Sequence, residues 1–518
     1  MSQEPPHPYS GIQIPRRRFL RNAALGGTVA ALGARFGFLD RLPAVSAGEV
    51  QVDGDAVRLH PDIEPLVRLI EETPRERLLE EVADRIVHRG LSYREVLAAL
   101  MLAGVRNIQP RPVGFKFHAV LVVNSAHLAA MASPDSDRWL PIFWALDYFK
   151  SSQARDIREG NWTMAPVDES AVPSAHRARA AFVQAMDRWD EAGADAAVAA
   201  LARHHNAGDL FDLFARYGSR DFRDIGHKAI YVANSFRTLE VIGWHHAEPV
   251  LRSLAYALLC RSGDSRNPAD EDLRADRPFR LNLERVDSGP RHWLAGREDH
   301  DSSLALVHAV REGGNPADLS QLVVDRLNKG ISARSLMAGC FLGAGELVMQ
   351  TPNILSLHAM TFTNAIHYAW NRCRDRDTRR MLLLQNASFL PMFKRRTDEP
   401  SRRIDEIDPL VPEAADPAAA AEEIFADLGD DPTLASRKVL GQLQRDPNPV
   451  AIGGAARRLI FLKGTNSHDY KYSSAILEDY EHLPSPAREQ MLAASVYLLR
   501  DSGLRDNTLV ERIRAALV

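Results

Sequence analysis

GLSYREVLAALMLAGVRNIQPRPVGFKFHAVLVVNSAH, residues 90–127, and GISARSLMAGCFLGAGELVMQTPNILSLHAMTFTNAIH, residues 330–367, are two versions of one stretch. At a constant offset of 240 they share ten of 38 positions without a gap, including Gly90/Gly330, Ser92/Ser332, Pro112/Pro352, His118/His358, Asn124/Asn364 and His127/His367. Ordinary composition gives about two or three by chance. A weaker match follows at an offset of 241, pairing His227 with His468, Tyr231 with Tyr472, Glu248 with Glu489 and Leu251 with Leu492. Both matches fit a tandem duplication in which residues near 75–265 and 315–505 fold as similar halves.

Working outward, apolar residues recur three and four apart through Pro74 to Val105, Ala178 to Tyr217, Asp318 to Val348 and Arg488 to Arg500, which predicts amphipathic helices. The best strand-like run, Val120 to Val123, continues into Ala126-His127-Leu128 and reads as buried helix. Pro112 and Pro352 suit a first helical turn, with Thr351 as an N-cap. The expected fold is all-α, internally duplicated into two pseudo-equivalent helical lobes at 48–268 and 315–518. A linker or loop covers 269–314, and a second loop, rich in Asp, Glu and Pro, lies near 397–417.

The first 47 residues predict a twin-arginine export signal. Arg16-Arg17-Arg18-Phe19-Leu20-Arg21 matches the paired arginine, free position, Phe, Leu and basic residue of that consensus. A mildly apolar Ala- and Gly-rich run from Ala23 to Ala34 follows, and Val45-Ser46-Ala47 offers a small-residue cleavage site. The expected destination is the periplasm or the exterior, reached through the twin-arginine machinery. No other segment has the length of a membrane-spanning helix, so the mature chain is expected to carry no integral span. Passengers of this route fold before export, often around a cofactor, which raises the expectation of a metal or redox site.

Composition narrows the partners. With 64 basic and 68 acidic residues among 518, and a formal charge of -4, the chain gives no broad electrostatic reason to bind nucleic acid. Its three cysteines, Cys260, Cys340 and Cys373, form neither a CxxC pair nor the CxxCH attachment of a covalent c-type haem. Serine-hydrolase elbows, phosphate loops and dinucleotide fingerprints are missing from any strand-to-helix setting.

Histidines carry what chemistry remains. His118 and His127 are nine residues apart, as are His358 and His367, so on a helix each pair points to nearly opposite sides. A shared site must therefore take one histidine from each helix. His118, His227, His358 and His468 are the expected metal ligands, with His227, His245 and Glu248 as catalytic candidates. Iron or copper would suit such a nitrogen-rich set. Trp144, Trp244 and Trp370 read as core or wall aromatics. The competing expectation is a non-catalytic helical binding or scaffold protein whose histidines hydrogen-bond neighbouring helices.

His227-Lys228-Ala229-Ile230, running on to Glu240, and Leu357-His358-Ala359-Met360-Thr361, up to Ala365, resemble the histidine-bearing helices of the questin oxidase family. Those are helical oxygenases that insert oxygen next to a carbonyl of aromatic polyketides. The resemblance implies that His227 and His358 line a pocket where a histidine removes a proton from an activated substrate before it meets oxygen. The expected function is thus an exported oxidoreductase, an oxygenase acting on a small organic molecule in a histidine-lined cleft between two lobes.

Overall fold

The glycine and serine that open the stretches 90–127 and 330–367 do the same two jobs in both. In a computed structural model that describes residues 63–135, 138–394 and 402–509, Gly90 and Gly330 follow the ends of helices with φ of 68° and 75°. That left-handed conformation is one a side chain resists, and it closes the helix. Two residues later Ser92 and Ser332 cap the next helix, Ser92 Oγ accepting from Glu95 N and Ser332 Oγ from Ser335 N. The motif is therefore a helix stop followed by a helix start.

The described residues form 21 α-helices and no strand; a single isolated bridge joins Arg297 and Ile331. In order they are α1 Glu64–Glu72, α2 Arg75–Arg89, α3 Tyr93–Asn107, α4 His118–Met131, α5 Trp139–Glu159, α6 Ala175–Arg188, α7 Glu191–His204, α8 Ala207–Gly218, α9 His227–Ile242 and α10 Ala247–Leu258. A short α11, Arg277–Arg285, comes next. Then follow α12 His300–Arg311, α13 Pro316–Asn328, α14 Ala333–Gln350, α15 Ile354–Arg372, α16 Arg376–Phe393, α17 Pro417–Asp430, α18 Pro432–Arg445, α19 Val450–Lys463, α20 Ser467–Tyr480 and α21 Ala487–Ser495.

Ten helices thus precede α11 and ten follow it among the described residues. Several pairings recur in the same order: α1 packs on α3 as α12 on α14, α4 on α5 as α15 on α16, and α7 on α10 as α18 on α21. At the middle α4 packs on α9 and α20, while α15 packs on the same two helices, which closes a four-helix ring. The apolar residues of α4 and α15 are buried nearly all round, as a central helix requires.

The structure adjusts several boundaries. Helix α11 forms inside the stretch expected as linker or loop, because Pro278 suits its first turn and Phe279 and Asn282 bury against its neighbours. Helix α12 falls inside the expected 269–314 linker, its Leu306, Val307 and Val310 buried. Pro112 and Pro352 stand before their helices rather than in the first turn, and Asn353, not Thr351, caps α15 by accepting from Leu355 N and Ser356 N. The export signal at 1–47 lies outside the described residues.

Candidate metal centre

His227 opens α9 by way of an unusual turn. Asp224 and Ile225 both sit in the left-handed region (φ 53° and 47°), and Gly226 continues it at 85°. A Cβ on Gly226 would lie 2.7 Å from the Phe362 ring, so only glycine fits both the angle and the space. The turn is tied down through Asp224, whose carboxylate accepts from Val113 N at 3.3 Å and from the Ser262 hydroxyl. Its effect is to aim the Asp224 carbonyl back at the His227 ring, 2.6 Å from Nδ1.

The other three histidines come from the remaining helices of the ring. His118 is the first residue of α4, after the 3-10 turn Phe115–Phe117. His358 lies one turn inside α15, its Nδ1 2.5 Å from the Ile354 carbonyl. His468 begins α20 behind Asn466, which accepts from its backbone N–H. The ligand nitrogens of all four lie within 4.8 Å of one another. His227 Nε2 is 2.9 Å from both His118 Nε2 and His358 Nε2. His118, His227 and His358 are buried, and the His468 Nε2 has no hydrogen-bond partner.

Counting protons on these rings is informative. A carbonyl oxygen only accepts, so Nδ1 of His227 and of His358 must each carry the hydrogen. In the neutral rings both Nε2 atoms then present lone pairs to each other across 2.9 Å. A proton between them would relieve that opposition, yet burial pushes His118, His227 and His358 well below the ordinary histidine range, and Lys471 and the other rings push the same way. Burial lowers His468 as well, to about 3. The arrangement disfavours imidazolium and presents convergent nitrogen lone pairs, the donor set of a transition metal.

Sequence reasoning thus named the four residues that converge. It also named His245 and Glu248, which the structure does not bring to them: the His245 ring packs on His246 with centroids 3.9 Å apart, and Glu248 joins Arg203 in a solvent-facing ion pair. A run of neighbouring histidines had drawn attention there, but short-range clustering says nothing about which helix face meets the centre. Trp144 stacks on Tyr470 at 3.8 Å and Trp370 is buried, both as core aromatics.

Lys471 was not foreseen. It is fully buried one turn beyond His468, its Nζ lacks a hydrogen-bond partner, and burial brings its amine down to about 7. With Asn124, Asn234, Arg237, Thr361 and Asn364 it lines a cavity of about 10 Å3 enclosed by the four ring helices. All these residues lie one or more turns past the histidine of their own helix, so the four helices leave the cluster in the same sense.

No helix among the described residues is long and apolar enough to cross a membrane. Compared with protein-family models, curated proteins and solved structures, the chain matches none.

Proposed function

We propose that the protein is an exported oxidoreductase built around a transition metal held by His118, His227, His358 and His468. The observation that carries this reading is the opposition of two Nε2 lone pairs, His227 and His358, each fixed by an Nδ1–H bond to a carbonyl. Backbone carbonyls on Nδ1 are the usual means of orienting a metal-binding imidazole. Purely structural histidines would instead have both ring nitrogens satisfied by separate partners.

A nitrogen-only donor set suits copper or iron, both redox metals, and the two 2.9 Å separations around His227 bring its neighbours close enough to share one ion. When bound, such a metal supplies one-electron chemistry and a Lewis-acid position; the chain itself orients the ligands and excludes water.

The duplicated sequence register and the repeated helix order support a tandem duplication in which each half gives two ligands, His118 and His227 from one, His358 and His468 from the other. Oxygen chemistry of the questin oxidase kind fits a buried redox metal, and export in the folded state through the twin-arginine machinery fits a centre assembled before translocation. The test is metal analysis with absorption and electron paramagnetic resonance spectra of protein purified after native export. About one copper or iron per chain is expected. Protein that stays metal-free even after incubation with either ion would overturn the reading.

A further inference from the structure

A divalent ion among four imidazoles creates a charge problem. The ligands are neutral and bring no negative charge into a buried site, where an uncompensated ion is costly. His118, His227 and His468 stand at the first or second positions of α4, α9 and α20, so the positive ends of three helix dipoles meet there. The acids along α20 are already engaged: Asp469, next to His468, accepts from Arg500 at 2.8 Å, Glu478 accepts from Arg237 at 2.6 Å, and Asp479 accepts from Asn364 and His367 at 2.8 and 3.0 Å.

Lys471 adds donors rather than acceptors. At 3% exposure its Nζ has no partner, and a buried donor left unpaired is unfavourable. An amine donates N–H bonds in either protonation state, so its role does not depend on charge. The cavity it lines is too small for an organic molecule, since about 10 Å3 is the space of one water whereas sites for small organic ligands run to roughly 300–1,000 Å3.

We propose that this cavity is a binding site for an inorganic anion of one or two heavy atoms, held by the Lys471 Nζ one helical turn from the ligand His468. Hydroxide, halide, superoxide and peroxide share that chemistry, and the last two would make a reactive oxygen species the substrate class. The proposal rests on the metal reading above and deepens it; an aromatic substrate has no room in this cavity.

The experiment uses the full chain loaded with Cu(II), with metal content measured first in wild type and in Lys471→Met. Both are expected to hold one equivalent. Fluoride should then shift the electron paramagnetic resonance spectrum of wild type, and Lys471→Met should need about tenfold more fluoride or beyond, as expected for a lost hydrogen bond to a charged acceptor. Benzoate should leave the spectrum unchanged. Equal fluoride affinity in the two proteins, or a benzoate response matching fluoride, would overturn the site, as would a metal-loaded wild type silent to fluoride. Wild type that takes up no metal overturns the metal reading and this proposal together. Where Lys471→Met does not fold, the comparison of fluoride with benzoate on wild type decides.

If superoxide or peroxide is the natural occupant, the iron- or copper-loaded wild type should disproportionate it, two superoxide ions and two protons giving O2 and H2O2, or two H2O2 giving O2 and two waters, while fluoride competes. Fluoride binding without such consumption leaves hydroxide or halide as the occupant.

Discussion

Two pairs of histidines occupy matching positions in the stretches 90–127 and 330–367 and meet different fates. His118 and His358 turn inward and meet His227 at one point, whereas His127 and His367, nine residues on, turn away and find separate partners. His127 Nδ1 lies 3.1 Å from the Tyr93 hydroxyl, while His367 Nδ1 donates to the Asp479 carboxylate at 3.0 Å. The difference teaches what a common centre demands. Residues that meet at one point satisfy one joint geometry, so each helix that reaches it must supply the same group. Residues turned away from it need only some local partner, and a tyrosine on α3 or an aspartate on α20 will serve.

The comparison breaks most sharply on metal content. His227→Ala is expected to weaken metal retention by more than about 100-fold, beyond the 10- to 100-fold typical of losing an outer partner, while His367→Ala keeps its metal. Competition against a chelator, read per folded molecule, checks both. Loss from both variants, or from neither, would erase the distinction between inward and outward histidines.

Acid separates the two groups next. Burial holds His118, His227 and His358 below their unfolded range, so the unfolded chain takes up protons that the folded one refuses. Stability of the metal-free protein is therefore fully present above pH 6.5 and lost as pH falls toward the folded values. Each such ring contributes up to about 1.4 kcal/mol per pH unit, or about 4 kcal/mol for three. Urea unfolding between pH 7 and 5 measures the slope, and a flat profile would show that the cluster accepts protons readily. In the triple His118→Gln, His227→Gln, His358→Gln variant the slope should fall by the share of these three rings, with buried His468 and His246 still contributing.

The smaller effects concern the outward pair. Asp479→Ala removes the acceptor of both His367 and Asn364 and should cost about 3 kcal/mol, as losing two buried hydrogen bonds and leaving their donors unpaired does. Tyr93→Phe, which leaves His127 to find another contact, should cost about 1 kcal/mol. Urea midpoints rank the two, and a reversed order would mean that the neutral partner is the more constrained.

Much of this arrangement was legible in the sequence. Helical periodicity gave the fold class, and two matches, at offsets of 240 and 241, singled out four histidines on four different helices. The nine-residue spacing also showed that His127 and His367 would not join them. Other features leave no such trace. The left-handed Asp224-Ile225 turn is held by Val113 and Ser262, contacts distant in sequence and invisible to local pattern. Lys471 falls opposite Ile230 at the offset that pairs His227 with His468, so the repeat gives no signal for it. His245 and Glu248 misled because neighbours in the chain were weighed as neighbours in space.

The closed ring of α4, α9, α15 and α20 has a consequence for how the chain is held together. His227 and His358 lie on opposite sides of the exposed, turn-rich run around residues 261–275. In a chain nicked there, an ion held as proposed would have two ligands on each fragment, so coordination would act as a clasp between pieces no longer joined by a peptide bond. Neither fragment alone carries more than half of that clasp.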